Sequence, residues 1–99
     1  MNTDVRCSRD FQIEAVGAVL LRDIARFVKT ANQFSSSVIV RRAQSSADGK
    51  SMLQMSGIHL KGGDRLSVTA LGWDASECIE ALARTTASWS LMPDHAIAA

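Results

Sequence analysis

Three basic side chains recur along one predicted helix, and their spacing suggests a chemical role. Arg22, Arg26 and Lys29 follow one another at intervals of four and three positions, so a helix brings them to one face. The segment before them contains Gly17 and is predicted to be a loop, which puts the cations near a helix N-terminus. Backbone N–H groups and the helix dipole favour anions there, so we predict a basic stripe suited to an anion.

Side chains capable of covalent or proton-transfer chemistry are scattered. Cys7 and Cys78 lack CxxC or Cys/His ligand spacing, so a zinc site is not expected and Cys78 is predicted to face the core. His59 has no base-orienting partner near it in sequence and His95 lies near the end, so both are expected to be surface histidines without a role. We find no nucleophile with its base, no paired carboxylates and no phosphate-binding loop, and we expect neither independent enzymatic activity nor a cofactor.

Composition limits the classes of partner. The chain has 99 residues, 46% hydrophobic and 21% charged, which is typical of one globular domain. A net charge of +1 gives no bulk electrostatic attraction to nucleic acid or to an anionic membrane. Neither a signal peptide nor a membrane span is recognisable, and we expect a cytoplasmic protein.

The first half of the chain alternates between strand and helix patterns. Phe11, Ile13 and Ala15 alternate with polar residues as in a strand with one buried face, and a loop at 16–19 follows. The basic helix comes next, and residues 34–42 form a second predicted strand, rich in β-branched residues. Residues 43–49 are expected to hold a turn and a short third strand. The predicted apolar face of the helix consists of Leu21, Ile24, Ala25, Val28 and Ala31.

Two further helices and a strand are predicted in the second half. Ser51 and Gln54 have the spacing of a capping box, which predicts a short helix over 52–56 ended by Gly57. A Gly-Gly-Asp turn at 62–64 precedes a strand in which Leu66, Val68 and Ala70 alternate. Asp74, with Glu77 three residues on, is predicted to cap a last helix that runs to about Trp89.

The predicted order is therefore β-α-β-β-α-β-α, an α+β fold with helices on one face of an antiparallel sheet. We place the domain at 9–90, between a flexible N-terminus at 1–8 and a C-terminal tail at 91–99.

This element order accompanies four short motifs: Phe27-Val28-Lys29, Gly49-Lys50-Ser51, Gly57-Ile58-x-Leu60 and Gly72-x-Asp74-Ala75. In this order and spacing the chain resembles HPr, the histidine-containing phosphocarrier of the bacterial sugar phosphotransferase system, over about residues 10–88. The resemblance implies an open-faced sandwich whose four antiparallel strands are ordered 1-4-2-3 and carry three helices on one side.

The resemblance also places the family's catalytic motif, Gly-Leu-His-x-Arg-Pro-Ala, on residues 18–24. Leu20 falls on the phosphorylated histidine, and its isobutyl side chain has no lone pair with which to accept a phosphoryl group. Arg22 matches the arginine that attends the phosphohistidine, but an exposed helix arginine explains it better, because the group that it would assist is missing. Asp23 replaces the proline, and its carboxylate would repel a bound phosphate.

Ser51 falls on the serine that HPr kinase/phosphorylase modifies in many HPr proteins, although a structural cap also explains it. Met52 and Leu53 match the exposed apolar pair through which HPr proteins dock, and with Leu20 they are expected to form an apolar patch. In the alternative reading, Met55 or Leu53 packs inward. Arg22 and Arg26 complete the predicted docking residues, while Trp73 and Trp89 are expected to serve packing or partner contact.

The sequence thus predicts an HPr-like regulatory or protein-interaction module switched at Ser51. The implied partners are enzyme I, HPr kinase/phosphorylase and a transcriptional regulator, with no nucleic acid, membrane or metal; the oligomeric state stays open. Two alternatives remain: a phosphocarrier using another acceptor, such as His59 or His95, and a soluble domain of this fold without a phosphotransferase role.

Overall fold

A computed structural model describes residues 5–13 and 19–89 of the chain. Four strands and three helices follow one another in the predicted order, β-α-β-β-α-β-α. No helix within these ranges has the length and apolar character needed to cross a membrane. The elements are β1 (Val5–Gln12), α1 (Leu21–Ala31), β2 (Ser37–Arg42), β3 (Ser45–Asp48), α2 (Met52–Gly57), β4 (Arg65–Gly72) and α3 (Ala75–Trp89).

The four strands form one antiparallel sheet in the order β1-β4-β2-β3. β4 lies between β1 and β2, with Val68 facing Arg9 of β1 and Val40 of β2. Alternation along β4 buries Leu66, Val68 and Ala70 beneath the helices and leaves the intervening residues on the open face. The predicted fold, including the strand order, is confirmed.

The core lies between the sheet and the helices. Phe27 of α1 is fully buried and packs against the ring of Trp89, with 5.8 Å between ring centroids. Ile79 and Leu82 of α3 and Met55 of α2 are also fully buried. Each helix therefore contributes at least one large side chain to the same apolar layer.

The predicted apolar face of α1 is partly wrong. Leu21 and Ala25 are exposed, whereas Phe27, which the prediction left out, is buried together with Ile24 and Ala31. The helix is rotated so that its largest side chain reaches the core, because an aromatic ring gains more from burial than an alanine does.

The sheet also begins earlier than predicted. β1 starts at Val5, so residues 5–8 belong to the sheet rather than to a flexible N-terminus. The predicted strand at 11–15 is described only to Ile13; residues 14–18, with Gly17, lie outside the described residues. The predicted tail at 91–99 also falls outside them.

A two-residue turn at Ala43 and Gln44 joins β2 to β3, with Arg42 paired to Ser45. Ala43 adopts φ 54°, a conformation that glycine takes without strain. The turn signal in the sequence is weak because an alanine stands where hairpin turns favour Gly or Asn.

Candidate functional site

The start of α1 presents an apolar surface. Leu20 is the N-cap residue and makes no side-chain capping bond; its carbonyl accepts the N–H groups of Asp23 and Ile24 at 3.0 and 3.1 Å. The N–H of Val19 donates to the carbonyl of Leu60 at 3.0 Å, which holds this segment against the chain that follows α2. Leu20 is 48% exposed and Leu21 64%, so both isobutyl groups are available to a partner.

The basic stripe lies on the solvent side of α1, as predicted. Arg22, Arg26 and Lys29 are all exposed. Asp23 is 3% exposed, so the carboxylate of the first turn is withdrawn from this surface. The surface of α1 therefore combines positive charge with exposed leucine side chains, a combination that suits a protein partner better than a small anion.

The capping role of Ser51 is confirmed in part. Its hydroxyl accepts the N–H of Gln54 at 3.2 Å, which is one half of a capping box. The Gln54 side chain does not return the bond: its carbonyl accepts the N–H of Asp48 at 2.9 Å, while the Ser51 N–H donates to the Asp48 carbonyl. Ser51 is half-buried, with its hydroxyl at the beginning of α2.

The three apolar side chains of α2 separate by burial. Leu53 is 83% exposed, Met52 is half-buried against the core, and Met55 is fully buried. Met55 is thus the residue that packs inward, as one alternative proposed. The expected exposed pair is reduced to Leu53 with the outer part of Met52.

Of the two histidines, the structure describes only His59. His59 is exposed and adopts φ 51° between α2 and β4. His95 lies outside the described residues, so its role as an alternative acceptor remains an expectation.

Asp74 stands at the predicted start of α3, where its carbonyl accepts the N–H of Cys78 at 2.9 Å, but its carboxylate bonds to a distant segment rather than to the first turn of the helix. Its carboxylate accepts the N–H of Ser35 at 2.8 Å and the N–H of Ser36 at 2.9 Å, and it also accepts the Ser36 hydroxyl. Desolvation acts to raise the pKa of Asp74, but the bonds from Ser36 and Ser35 outweigh it and hold the pKa below its usual value. Asp74 therefore anchors the segment between α1 and β2.

Gly72 makes this anchor possible. A Cβ on Gly72 would stand 2.7 Å from the Cα of Ser36, so another residue there would push the anchored segment away. The spacing Gly72-x-Asp74 was visible in the sequence, but the donors lie 38 and 39 positions away in the chain. Local capping rules do not identify such donors.

The cysteines and tryptophans serve mainly the core. Cys78 is buried, as predicted, and desolvation raises the pKa of its thiol to about 11. Cys7 is half-buried on β1. Trp89 packs within the core, whereas Trp73 is 62% exposed in the turn before α3 and is accessible for partner contact.

The fold and the exposed side chains together define a small open-faced α+β sandwich that presents an apolar and basic surface on its helical side. The family model for the PTS HPr component phosphorylation site matches residues 7–88.

Curated relatives agree with this match. The phosphocarrier protein HPr of Haemophilus influenzae is 35% identical over 75 residues, covering 76% of this chain and 88% of the relative. That of Borreliella burgdorferi is 33% identical over 72 residues, covering 69% of this chain and 84% of the relative. Among solved structures, HPr-C-His from Thermoanaerobacter tengcongensis superposes with a TM-score of 0.78 at 26% identity, covering 85% of this chain and 94% of that one.

This chain belongs to the HPr family of the phosphotransferase system. HPr proteins are phosphocarriers rather than catalysts in the usual sense. Several residues that carry the resemblance have structural roles here: Gly49 lies against Val38 and Phe27, and Gly72 and Asp74 hold the segment before β2.

Proposed function

We propose that this protein is a regulatory, protein-interaction member of the HPr family that does not carry a phosphoryl group at residue 20. The observation that carries the proposal is Leu20 at the start of α1, where the family resemblance places the phosphorylated histidine. A phosphoryl acceptor needs a nucleophilic lone pair, and the half-exposed isobutyl group of Leu20 has none.

Exposed apolar side chains at the start of α1 and on α2 support a docking role. Leu20 keeps about half of its surface in solvent and Leu53 keeps most of it. Arg26 adds positive charge on α1. A surface of this kind fits a partner that presents apolar side chains among carboxylates. Enzyme I, HPr kinase/phosphorylase and a transcriptional regulator are the partners that family membership suggests.

Ser51 is the proposed switch. Its hydroxyl lies at the beginning of α2, two positions before the exposed Leu53. Transfer of the γ-phosphoryl group of ATP to this oxygen would release ADP and the hydroxyl proton, and would place about two negative charges beside an apolar docking residue. A partner with carboxylates at that position would then be repelled, and one with arginines would be attracted.

Loss of carrier activity is tested with enzyme I and phosphoenolpyruvate. We expect no acid-labile label on the wild-type protein and a label on Leu20→His, because that variant supplies an imidazole on an intact docking surface. Acid-labile labelling of the wild-type protein would establish another acceptor and overturn the proposal. An unlabelled but folded Leu20→His protein would count against a retained docking surface for enzyme I.

The switch is tested with HPr kinase and labelled ATP. Ser51→Ala should abolish acid-stable labelling. Ser56→Ala is the matched control, because Ser56 is a half-buried serine of α2 whose hydroxyl donates to the Leu53 carbonyl at 3.1 Å. Equal labelling of wild type and Ser51→Ala would remove Ser51 as the switch, and so would an unlabelled wild-type protein.

A further inference from the structure

β1 forms one edge of the sheet. Among the described residues it pairs with β4 alone, through an eight-residue register that runs without a bulge from Val5 to Gln12. The opposite edge, β3, has only four residues. β1 contains no proline, so each residue of this edge retains its N–H group.

The alternation of hydrogen bonds identifies the groups that face outward. Ile13 exchanges backbone bonds with the turn before β4: its N–H donates to Asp64 and its carbonyl accepts from Gly63, both at 2.8 Å. Since backbone groups alternate in direction along a strand, the odd-numbered residues of β1 bond to β4. The N–H and C=O groups of Arg6, Ser8, Asp10 and Gln12 therefore point away from the sheet.

Side-chain directions follow from the same register. Arg6, Ser8 and Asp10 pair with residues on the open face of β4, and the Ser8 hydroxyl lies 2.8 Å from that of Thr69. Val5 and Phe11 lie on the helical side; Val5 is exposed, and Phe11 is half-buried against the core.

A second copy of this strand can pair with it in one well-matched antiparallel register. A two-fold axis at Ser8 places Arg6 of each copy opposite Asp10 of the other on the open face. On the helical side it places Val5 of each copy opposite Phe11 of the other. Opposite charges and apolar pairs at facing positions both stabilise paired strands.

The neighbouring registers that use the same outward groups are less favourable. An axis at Arg9 places the Arg9 side chains of the two copies opposite each other. An axis at Asp10 places the two Asp10 side chains opposite each other, and like charges at facing positions repel. Moving the axis to Cys7 shortens the overlap and removes every opposite-charge pair. The Arg6 and Asp10 pairing thus selects the register centred on Ser8.

We propose that two copies of this protein associate through antiparallel β1–β1 pairing centred on Ser8, forming a continuous eight-stranded sheet. Backbone hydrogen bonds are exchanged at the Ser8 pair and at both pairs of Arg6 with Asp10. The interface is small, so the association is a weak, concentration-dependent equilibrium. It uses the edge opposite β3 and does not depend on the proposed function of Leu20 or Ser51.

Disulfide trapping tests the register. Cα atoms of hydrogen-bonded facing residues stand about 5.5 Å apart, within the range that a disulfide spans. Under mild oxidation Ser8→Cys should form a dimer in which peptide mapping finds the two introduced thiols joined to each other. Thr69→Cys, which loses the same hydroxyl contact on β4, should stay monomeric. Joining through Cys7, or equal dimer yields from both variants, would overturn the proposal.

Charge reversal tests the pairing in the reversible equilibrium. Sedimentation equilibrium up to about 1 mM should detect dimers of the wild-type protein. Arg6→Asp or Asp10→Arg alone should weaken the dimer roughly tenfold or more, and the double variant should restore it. Arg65→Asp, an equal charge change on β4, should leave it within about threefold. A wild-type protein that is monomeric throughout would overturn the proposal, as would a double variant no stronger than either single one.

Discussion

The starts of α3 and α1 are built from different chemistry. Before α3, the Asp74 carboxylate is buried and accepts three hydrogen bonds from Ser35 and Ser36. Before α1, Leu20 makes no side-chain cap and leaves about half of its surface in solvent. Substitutions at the first site should act on folding, whereas substitutions at the second should act on recognition.

The comparison shows which residues of a family motif are tied to the fold. Gly72 and Asp74 hold a distant segment, so a change at either disturbs packed backbone. Leu20, which the resemblance aligns with the family histidine, has its side chain half exposed at the surface, so the residue type at this position is not dictated by packing. Function at this position can therefore change while the sandwich is retained.

Removing the anchor should have the largest effect. Asp74→Ala leaves the N–H groups of Ser35 and Ser36 without their acceptor and should lower the free energy of unfolding by about 3 kcal/mol. Urea denaturation followed by circular dichroism measures this change. Asp74→Asn keeps one acceptor oxygen and should lose less. A loss of less than about 1 kcal/mol in Asp74→Ala would show that water or nearby groups replace the carboxylate.

The same anchor should make stability depend on acid. Because the pKa of Asp74 is lower in the folded than in the unfolded chain, its contribution is complete above the unfolded value and is lost as pH falls through the folded value. The stability difference between wild type and Asp74→Asn should therefore shrink below about pH 4. Urea titrations at several pH values test this; a difference constant down to about pH 2 would contradict it.

The helix cap should have an intermediate effect. Ser51→Ala removes the acceptor of the Gln54 N–H and should cost about 1 kcal/mol of unfolding free energy. Ser51→Asp retains an acceptor and should remain within a few tenths of a kcal/mol of wild type. If urea denaturation gives Ser51→Ala the same free energy of unfolding as the wild-type protein, the bond to Gln54 contributes nothing to stability and Ser51 is not a stabilising cap.

The exposed patch should have the smallest effect on stability. Leu53→Ala should change the free energy of unfolding by less than about 0.5 kcal/mol. Met55→Ala, on the buried side of the same helix, should cost about 2–5 kcal/mol. Calorimetric titration with a partner that binds the wild-type protein should show weaker binding to Leu53→Ala. Unchanged affinity would remove Leu53 from the docking surface.

Local patterns predicted most of the architecture. Alternation in β4, the β-branched run in β2, and the cap at Ser51 depend on neighbours within a few positions, so the sequence reveals them directly. β1 was harder to delimit because it is an edge strand with several exposed polar residues. Arg9 lies on the helical side, where its guanidinium pairs with Glu80 at 2.8 Å, so hydrophobic alternation is interrupted there.

The sequence predicts which residues belong to the candidate site, but it does not predict which of their side chains are exposed. The sequence predicts roles for Leu20, Ser51 and Leu53 through the family resemblance, and those roles stay predictions. Its expectation that Arg22 and Arg26 lie on the solvent side of α1 is confirmed. The sequence did not separate Met52, Leu53 and Met55 by burial, because three apolar residues crowd one short helix and only packing against the sheet selects the buried one.

By itself, the sequence determined the element order, the helical cap at Ser51 and the absence of a nucleophile at residue 20, because each depends on local chemistry. Tertiary structure decided the rotation of α1 toward Phe27, the partners of Asp74 and the starting point of β1. These features depend on contacts between groups far apart in the chain. Such contacts contribute to stability only when the sheet and the helices pack together.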